Sequence, residues 1–140
     1  GITGECLVLI TPDHERTMYT HLGVSSQLNV EDIDQEVVKN SEYLLVEGYL
    51  VTSEQTMDVA SYSIDIATKH AVKKIITLSD PNVVKYFRDD ILELLNKSFD
   101  IIFFHKFTLT FTHTKCLILR TGMRTCIFVF SLWVFLMIFL

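Results

Sequence analysis

The sequence predicts an α/β chain built on a doubly wound parallel sheet, with one separate β-hairpin and a hydrophobic C-terminal tail. Three observations carry this. Apolar runs suited to buried strands begin near residues 43, 74 and 100. The stretches between them repeat their apolar residues at helical spacing. Strands alternating with helices at this spacing are βαβ units, which place consecutive strands parallel.

The elements follow in order. Cys6 to Thr11 and Thr17 to Leu22 are β-favouring runs on either side of Pro12-Asp13-His14-Glu15-Arg16, where proline presets the turn dihedral and aspartate tolerates it. This predicts a hairpin. Thr17, Tyr19 and His21 alternate along its second strand, so it suits a sheet with one wet face that stays outside the parallel core. Asn29 precedes Val30-Glu31-Asp32-Ile33, an N-cap followed by acids in the first turn, and predicts a short helix to about Asn40. Tyr43-Leu44-Leu45-Val46 is continuous and apolar, as for a strand buried on both faces, and exits at Glu47-Gly48-Tyr49.

Thr52-Ser53 caps a helix expected from about Glu54 to His70, whose apolar face is Met57, Ala60, Ile64, Ala67 and Ala71. Lys74 to Leu78 is the second buried strand, closing at Ser79-Asp80-Pro81. Pro81 suits the first position of a helix, and Val84, Phe87, Ile91, Leu94 and Leu95 supply the next apolar face, with a break near Arg88-Asp89. Asp100 to Phe104 is the third strand. His70 and the Lys73-Lys74 pair read as a solvated helix end, where the dipole favours cations. In parallel sheets ligands sit at the carboxyl ends of strands, here Glu47-Gly48-Tyr49, Ser79-Asp80 and the residues after Phe104.

Composition narrows the chemistry. The 140 residues carry a net charge of −5, against the basic stripe that nucleic-acid binding requires, so no nucleic-acid partner is expected. Cysteines at 6, 116 and 126 form no C-x-x-C pair, which excludes a disulfide framework or zinc ribbon and points to a reducing compartment. The five histidines form no H-E-x-x-H pattern, and His105, His113 and Cys116 are loosely spaced, so no metal site is expected. Glycines at 1, 4, 23, 48 and 122 write neither G-x-G-x-x-G nor G-x-x-x-x-G-K-[ST]. No G-x-S-x-G elbow occurs, so serines near acids read as caps and turns.

Two carboxylates remain. Asp80 reads equally as a functional acid at a strand end and as the N-cap before Pro81. Glu47 directly follows four apolar strand residues, so it must be paired, solvated or bound to a ligand; ligand contact and structural pairing both stay open.

The ordered series Thr3-Gly4-Glu5-Cys6-Leu7-Val8-Leu9-Ile10-Thr11-Pro12-Asp13-His14-Glu15-Arg16-Thr17-Met18, Leu22-Gly23-Val24-Ser25, Glu47-Gly48-Tyr49-Leu50 and Leu78-Ser79-Asp80-Pro81 resembles the PfkB (ribokinase-like) carbohydrate kinases, most nearly their adenosine-kinase-like group. The resemblance covers about residues 1–104. It implies an α/β sandwich with a small β-sheet lid, and transfer of the γ-phosphoryl of ATP to a hydroxyl of a sugar or nucleoside, with Mg2+. It also implies that Glu47 and Tyr49 lie in the acceptor pocket. No segment matches the family's Gly-Gly sugar-holding stretch or its G-A-G-D anion hole and base, and Phe104-His105-Lys106-Phe107 stands where an Asn-Glu motif would follow the third strand. The expectation is a partial kinase domain over 1–104, without its catalytic residues.

All seventeen acids lie at or before Asp100, whereas residues 101–140 hold four basic residues, no acid and eight of the ten phenylalanines. Residues 105–140 therefore form a distinct hydrophobic tail with three readings. Cys126 to Leu140, with Ser131 its one polar residue and Lys115, Arg120 and Arg124 before it, suits a membrane anchor, though it is short of the roughly twenty residues a span needs. A buried core helix is the second reading, although no polar face would turn outward. Translation out of the family's frame is the third and favoured one, since it explains the lost acids and lost motif together. Two functions follow: an inactive fragment of an ATP-dependent sugar or nucleoside kinase in the cytoplasm, or a small membrane-tethered α/β binding protein.

Overall fold

The computed structural model describes residues 1–104 and 125–128. Strands β1 (Glu5–Ile10) and β2 (Arg16–His21) form a two-stranded antiparallel sheet of their own. This is the expected hairpin, separate from the parallel core. Its turn is closed by Thr11 N–H on Glu15 O and His14 N–H on Thr11 O, with His14 in the left-handed region at φ 64°. Both faces of the hairpin are exposed, the paired Leu7 and Tyr19 each by 61% on one and the paired Val8 and Met18 by 45% and 46% on the other, so the expected single wet face is corrected.

A helix over residues 30–40 was expected from one cap, but two caps divide it. Asn29 and Asp32 form a capping box on a 3-10 turn, Val30–Asp32, and Asp34 then caps α1 (Gln35–Lys39) through the Glu36 and Val37 N–H groups. Each cap satisfies its own helix start, so the chain turns between them.

The second sheet runs β3 (Tyr43–Glu47), β4 (Lys73–Thr77), β5 (Ile101–Phe104) and β6 (Thr125–Phe128), all parallel and in chain order. Helix α2 (Glu54–Lys69) connects β3 to β4, and α3 (Pro81–Tyr86) with α4 (Arg88–Leu95) connect β4 to β5. The expected break near Arg88 falls at Phe87, which ends α3 and begins α4. One apolar layer joins the helices to the sheet: Ile64 of α2 and Ile91, Leu94 and Leu95 of α4 meet Val46, Ile76 and Ile102 of the strands. The opposite side of β3 is open. Tyr43 is 44% and Leu45 53% exposed, so β3 is not buried on both faces: it is an edge strand in this sheet, and its helices cover the other side.

Lys73 and Lys74 belong to β4, which corrects their reading as a helix end. Strand alternation turns Lys74 inward, where it is buried and donates from Nζ to Thr68 Oγ1 at 2.7 Å and Lys97 O at 3.2 Å. Lys73 instead faces out, its ammonium 5.2 Å from the centre of the Tyr43 ring. His70 does cap α2, and Ala71 follows it at φ 57° with Ala71 N–H on Thr68 O and Val72 N–H on Ala67 O.

β6 falls within the predicted hydrophobic tail and was not anticipated as a strand. The rest of that tail, with His105, His113, Cys116 and most of the 126–140 run, lies outside the described residues. Among the described residues no helix is long and apolar enough to cross a membrane.

Candidate functional site at the strand ends

The carboxyl ends of β3 and β4 meet because Glu47 and Thr77 are paired in register and the chain stays close beyond them. Gly48 makes that approach possible. A Cβ there would lie 2.9 Å from Thr77 O and 3.1 Å from both the carbonyl carbon and oxygen of Leu78. After Gly48 the chain turns in a 3-10 segment, Gly48–Thr52, fastened by Thr52 Oγ1 donating to Tyr49 O at 2.8 Å and Thr56 Oγ1 donating to Leu50 O at 2.7 Å. Ser53 then caps α2 through the Thr56 N–H. These bonds hold Tyr49 beside the strand end.

Glu47 is exposed and does have a protein partner: Ser79 Oγ donates to its Oε2 at 3.1 Å. Its Oε1 has no hydrogen bond among the described residues. Structural pairing and availability to a ligand therefore coexist on one carboxylate. Asp80 acts as the N-cap of α3, its Oδ1 accepting from Asn82 N–H at 2.6 Å with Pro81 next in the helix, so the capping reading holds.

Burial pushes the Tyr49 phenol above its usual range; the carboxylates of Asp80 and Glu47 push it further, and Arg16 pulls it down. Tyr49 is thus a neutral hydroxyl at physiological pH, able to donate or accept. The hairpin enters this balance only through the charges of Arg16 on β2 and Cys6 on β1. Sequence marked Ser79 only as part of the Ser79-Asp80 strand end; its bond to Glu47 joins residues 32 apart, which no local pattern records.

The site offers a carboxylate, a serine hydroxyl and a neutral phenol, which is equipment for holding hydroxyl groups. ATP and Mg2+ fit poorly with the described residues: no group of three His, Cys, Asp or Glu side chains could hold a metal ion, and no glycine-rich cradle faces the strand ends. An open depression lies elsewhere, lined by Val24, Ser25, Gln27, Leu28, Asn29 and Asp32. Asn29 and Asp32 of that lining are already engaged in the capping box.

No protein-family model and no curated protein sequence matches the chain. Solved structures do. Adenosine kinase from Sinorhizobium meliloti is similar at 29% identity and a TM-score of 0.81 over 92% of this chain and 42% of its own. A probable sugar kinase protein from Rhizobium etli is similar at 28% identity and a TM-score of 0.73, over 79% of this chain and 34% of its own. A PfkB protein from Polaromonas sp. JS666 shares the fold at 17% identity and a TM-score of 0.74, over 92% of this chain and 48% of its own. The chain therefore spans less than half the length of each of these proteins. With its parallel sheet, its separate hairpin and these likenesses, the chain has the fold of the PfkB-type, ribokinase-like carbohydrate kinases.

Proposed function

We propose that this chain is the acceptor-binding part of an ATP-dependent sugar or nucleoside kinase, with Glu47 and Tyr49 contacting hydroxyl groups of the acceptor. The observation that carries this reading is the likeness to an adenosine kinase over 92% of the chain, with Glu47, Tyr49 and Ser79 at the carboxyl ends of its parallel strands. Glu47 accepts from an acceptor hydroxyl through Oε1, and Tyr49 supplies a neutral hydroxyl beside it. The donor is ATP with Mg2+, the pair bound in a similar structure, that of a ribokinase II-type protein from Escherichia coli.

Phosphoryl transfer depends on positioned groups that stabilise charge on the transferred phosphoryl, and the 140 residues contain no recognisable cradle, anion hole or base for it. The chain by itself therefore binds acceptor without turning it over. Equilibrium dialysis with adenosine, ribose and fructose, run beside a product assay containing ATP and Mg2+, tests both halves. Binding of one acceptor, weakened in Glu47→Gln and Tyr49→Phe, with no product above a blank, is expected. Absence of binding across the panel overturns the acceptor site, and product from the chain alone overturns the assignment of turnover to groups the chain does not contain.

A further inference from the structure

Among the described residues, four non-glycine residues have positive φ: His14, Ala71, Ser79 and Ser98. Three have ordinary local reasons. His14 sits in the hairpin turn, and Ala71 and Ser98 follow helices, where Ala71 N–H bonds Thr68 O and Ser98 N–H bonds Leu95 O. Ser79 is different. It follows a strand, at φ 58°, and is held by its N–H on Thr77 Oγ1 at 3.2 Å and its Oγ on Glu47 Oε2 at 3.1 Å. A glycine would adopt this backbone without strain but would carry no hydroxyl. The strained turn thus does something a glycine could not: it carries a donor across from the β4 exit to the β3 exit.

We infer that Ser79 is a positioning residue for Glu47, fixing the carboxylate through Oε2 so that Oε1 is presented to an acceptor hydroxyl. This rests on the acceptor-site reading of Glu47 and adds to it the group that sets its orientation. With Oε2 engaged by Ser79, the lone pairs of Oε1 stay open to acceptor hydroxyls. The backbone around Ser79 is fixed independently of its side chain: Leu78 N–H bonds Phe103 O at 2.9 Å, and Asp80 caps α3. Removing the hydroxyl therefore frees the Glu47 carboxylate without unravelling the β4 exit.

The test uses the full 140-residue chain as wild type, Ser79→Gly, Glu47→Gln and the double variant. Dialysis with adenosine, ribose and fructose is paired with thermal melting. Ser79→Gly relieves the backbone strain, so it melts no lower than wild type, yet binds the preferred acceptor about tenfold more weakly, the loss expected for one hydrogen bond to a charged group. The double variant binds no more weakly than Glu47→Gln alone, because both changes break the same arrangement. Ser79→Asn, which tolerates this backbone region and keeps an N–H donor, recovers part of the loss. Wild-type binding with equal affinity in Ser79→Gly overturns the positioning role and leaves the acceptor site standing, as does a fully additive double variant. Loss of affinity that tracks a lowered melting temperature assigns Ser79 a structural role and overturns the inference. Failure of the wild type to bind any of the three overturns the acceptor site itself.

Discussion

Gly48→Ala gives the sharpest test of how tightly the two strand exits are joined. Gly48 does not have positive φ, so alanine meets no backbone penalty, and the whole effect is steric. The new methyl would stand 2.9 Å from Thr77 O and 3.1 Å from Leu78 C and O, all main-chain atoms. They cannot yield cheaply, since Leu78 N–H is bonded to Phe103 O at 2.9 Å and Thr77 is paired with Phe103 in the sheet. Forcing an extra methyl into such a contact costs about 1–3 kcal/mol. Restricting the unfolded chain returns about 0.4–1 kcal/mol. The difference centres on a destabilisation of about 1.3 kcal/mol, or roughly 4 °C in melting temperature for a chain of this size. Thermal melting followed by circular dichroism, with urea unfolding to check that the slope is unchanged, reads it directly. Because Glu47 and Tyr49 flank the substituted residue, acceptor affinity falls too. An unchanged or raised melting temperature would refute the claim that the strand exits are in main-chain contact.

Other expectations follow from single contacts. Leu94→Ala, at a fully buried position between α4 and the sheet, costs about 2–5 kcal/mol by urea unfolding. Ala71→Gly removes a left-handed alanine from the end of α2 and raises stability by about 0.5–1 kcal/mol, and a lower melting temperature would contradict the cap geometry. Asp80→Ala loses the α3 cap at a cost of about 1 kcal/mol and lowers the Tyr49 phenol, which ultraviolet titration against a Tyr49→Phe reference detects. Burial holds the Lys74 ammonium below its usual range, with Asp100 and Asp65 opposing and Lys97 adding to the fall. The folded state then releases this proton at lower pH than the unfolded state, so Lys74 makes stability rise as pH climbs toward the unfolded value of about 10.4. Lys74→Met removes that rise, and a melting curve whose alkaline pH dependence is the same in both proteins counts against it.

Strong, repeated patterns made much of the fold legible. The runs at 43–46, 74–78 and 100–104 became parallel strands, and the alternating apolar spacing of 57–71 became α2, because a buried face imposes its period on the sequence. Ser53 and Asp80 were readable as caps for the same local reason. Other features were not local. Lys74 is buried because Thr68 and the Lys97 carbonyl receive its ammonium, partners that no window around residue 74 reveals. The exposure of Leu45 depends on where β3 stands in the sheet. β6 was hidden because a uniformly apolar stretch has no period to separate strand from helix or anchor. At the site, Glu47 and Tyr49 stood out by their place after an apolar run, whereas the Ser79 bond to Glu47 joins residues 32 apart in the chain.

Amide chemical-shift mapping shows whether the β3 and β4 exits form an acceptor site. The labelled 140-residue chain is titrated with adenosine, ribose and fructose in turn, and every amide is followed. Saturable shifts from one of them, concentrated at residues 46–50 and 77–80, are expected. Shifts confined to the depression at residues 24–32, or none at millimolar ligand, would contradict the acceptor site.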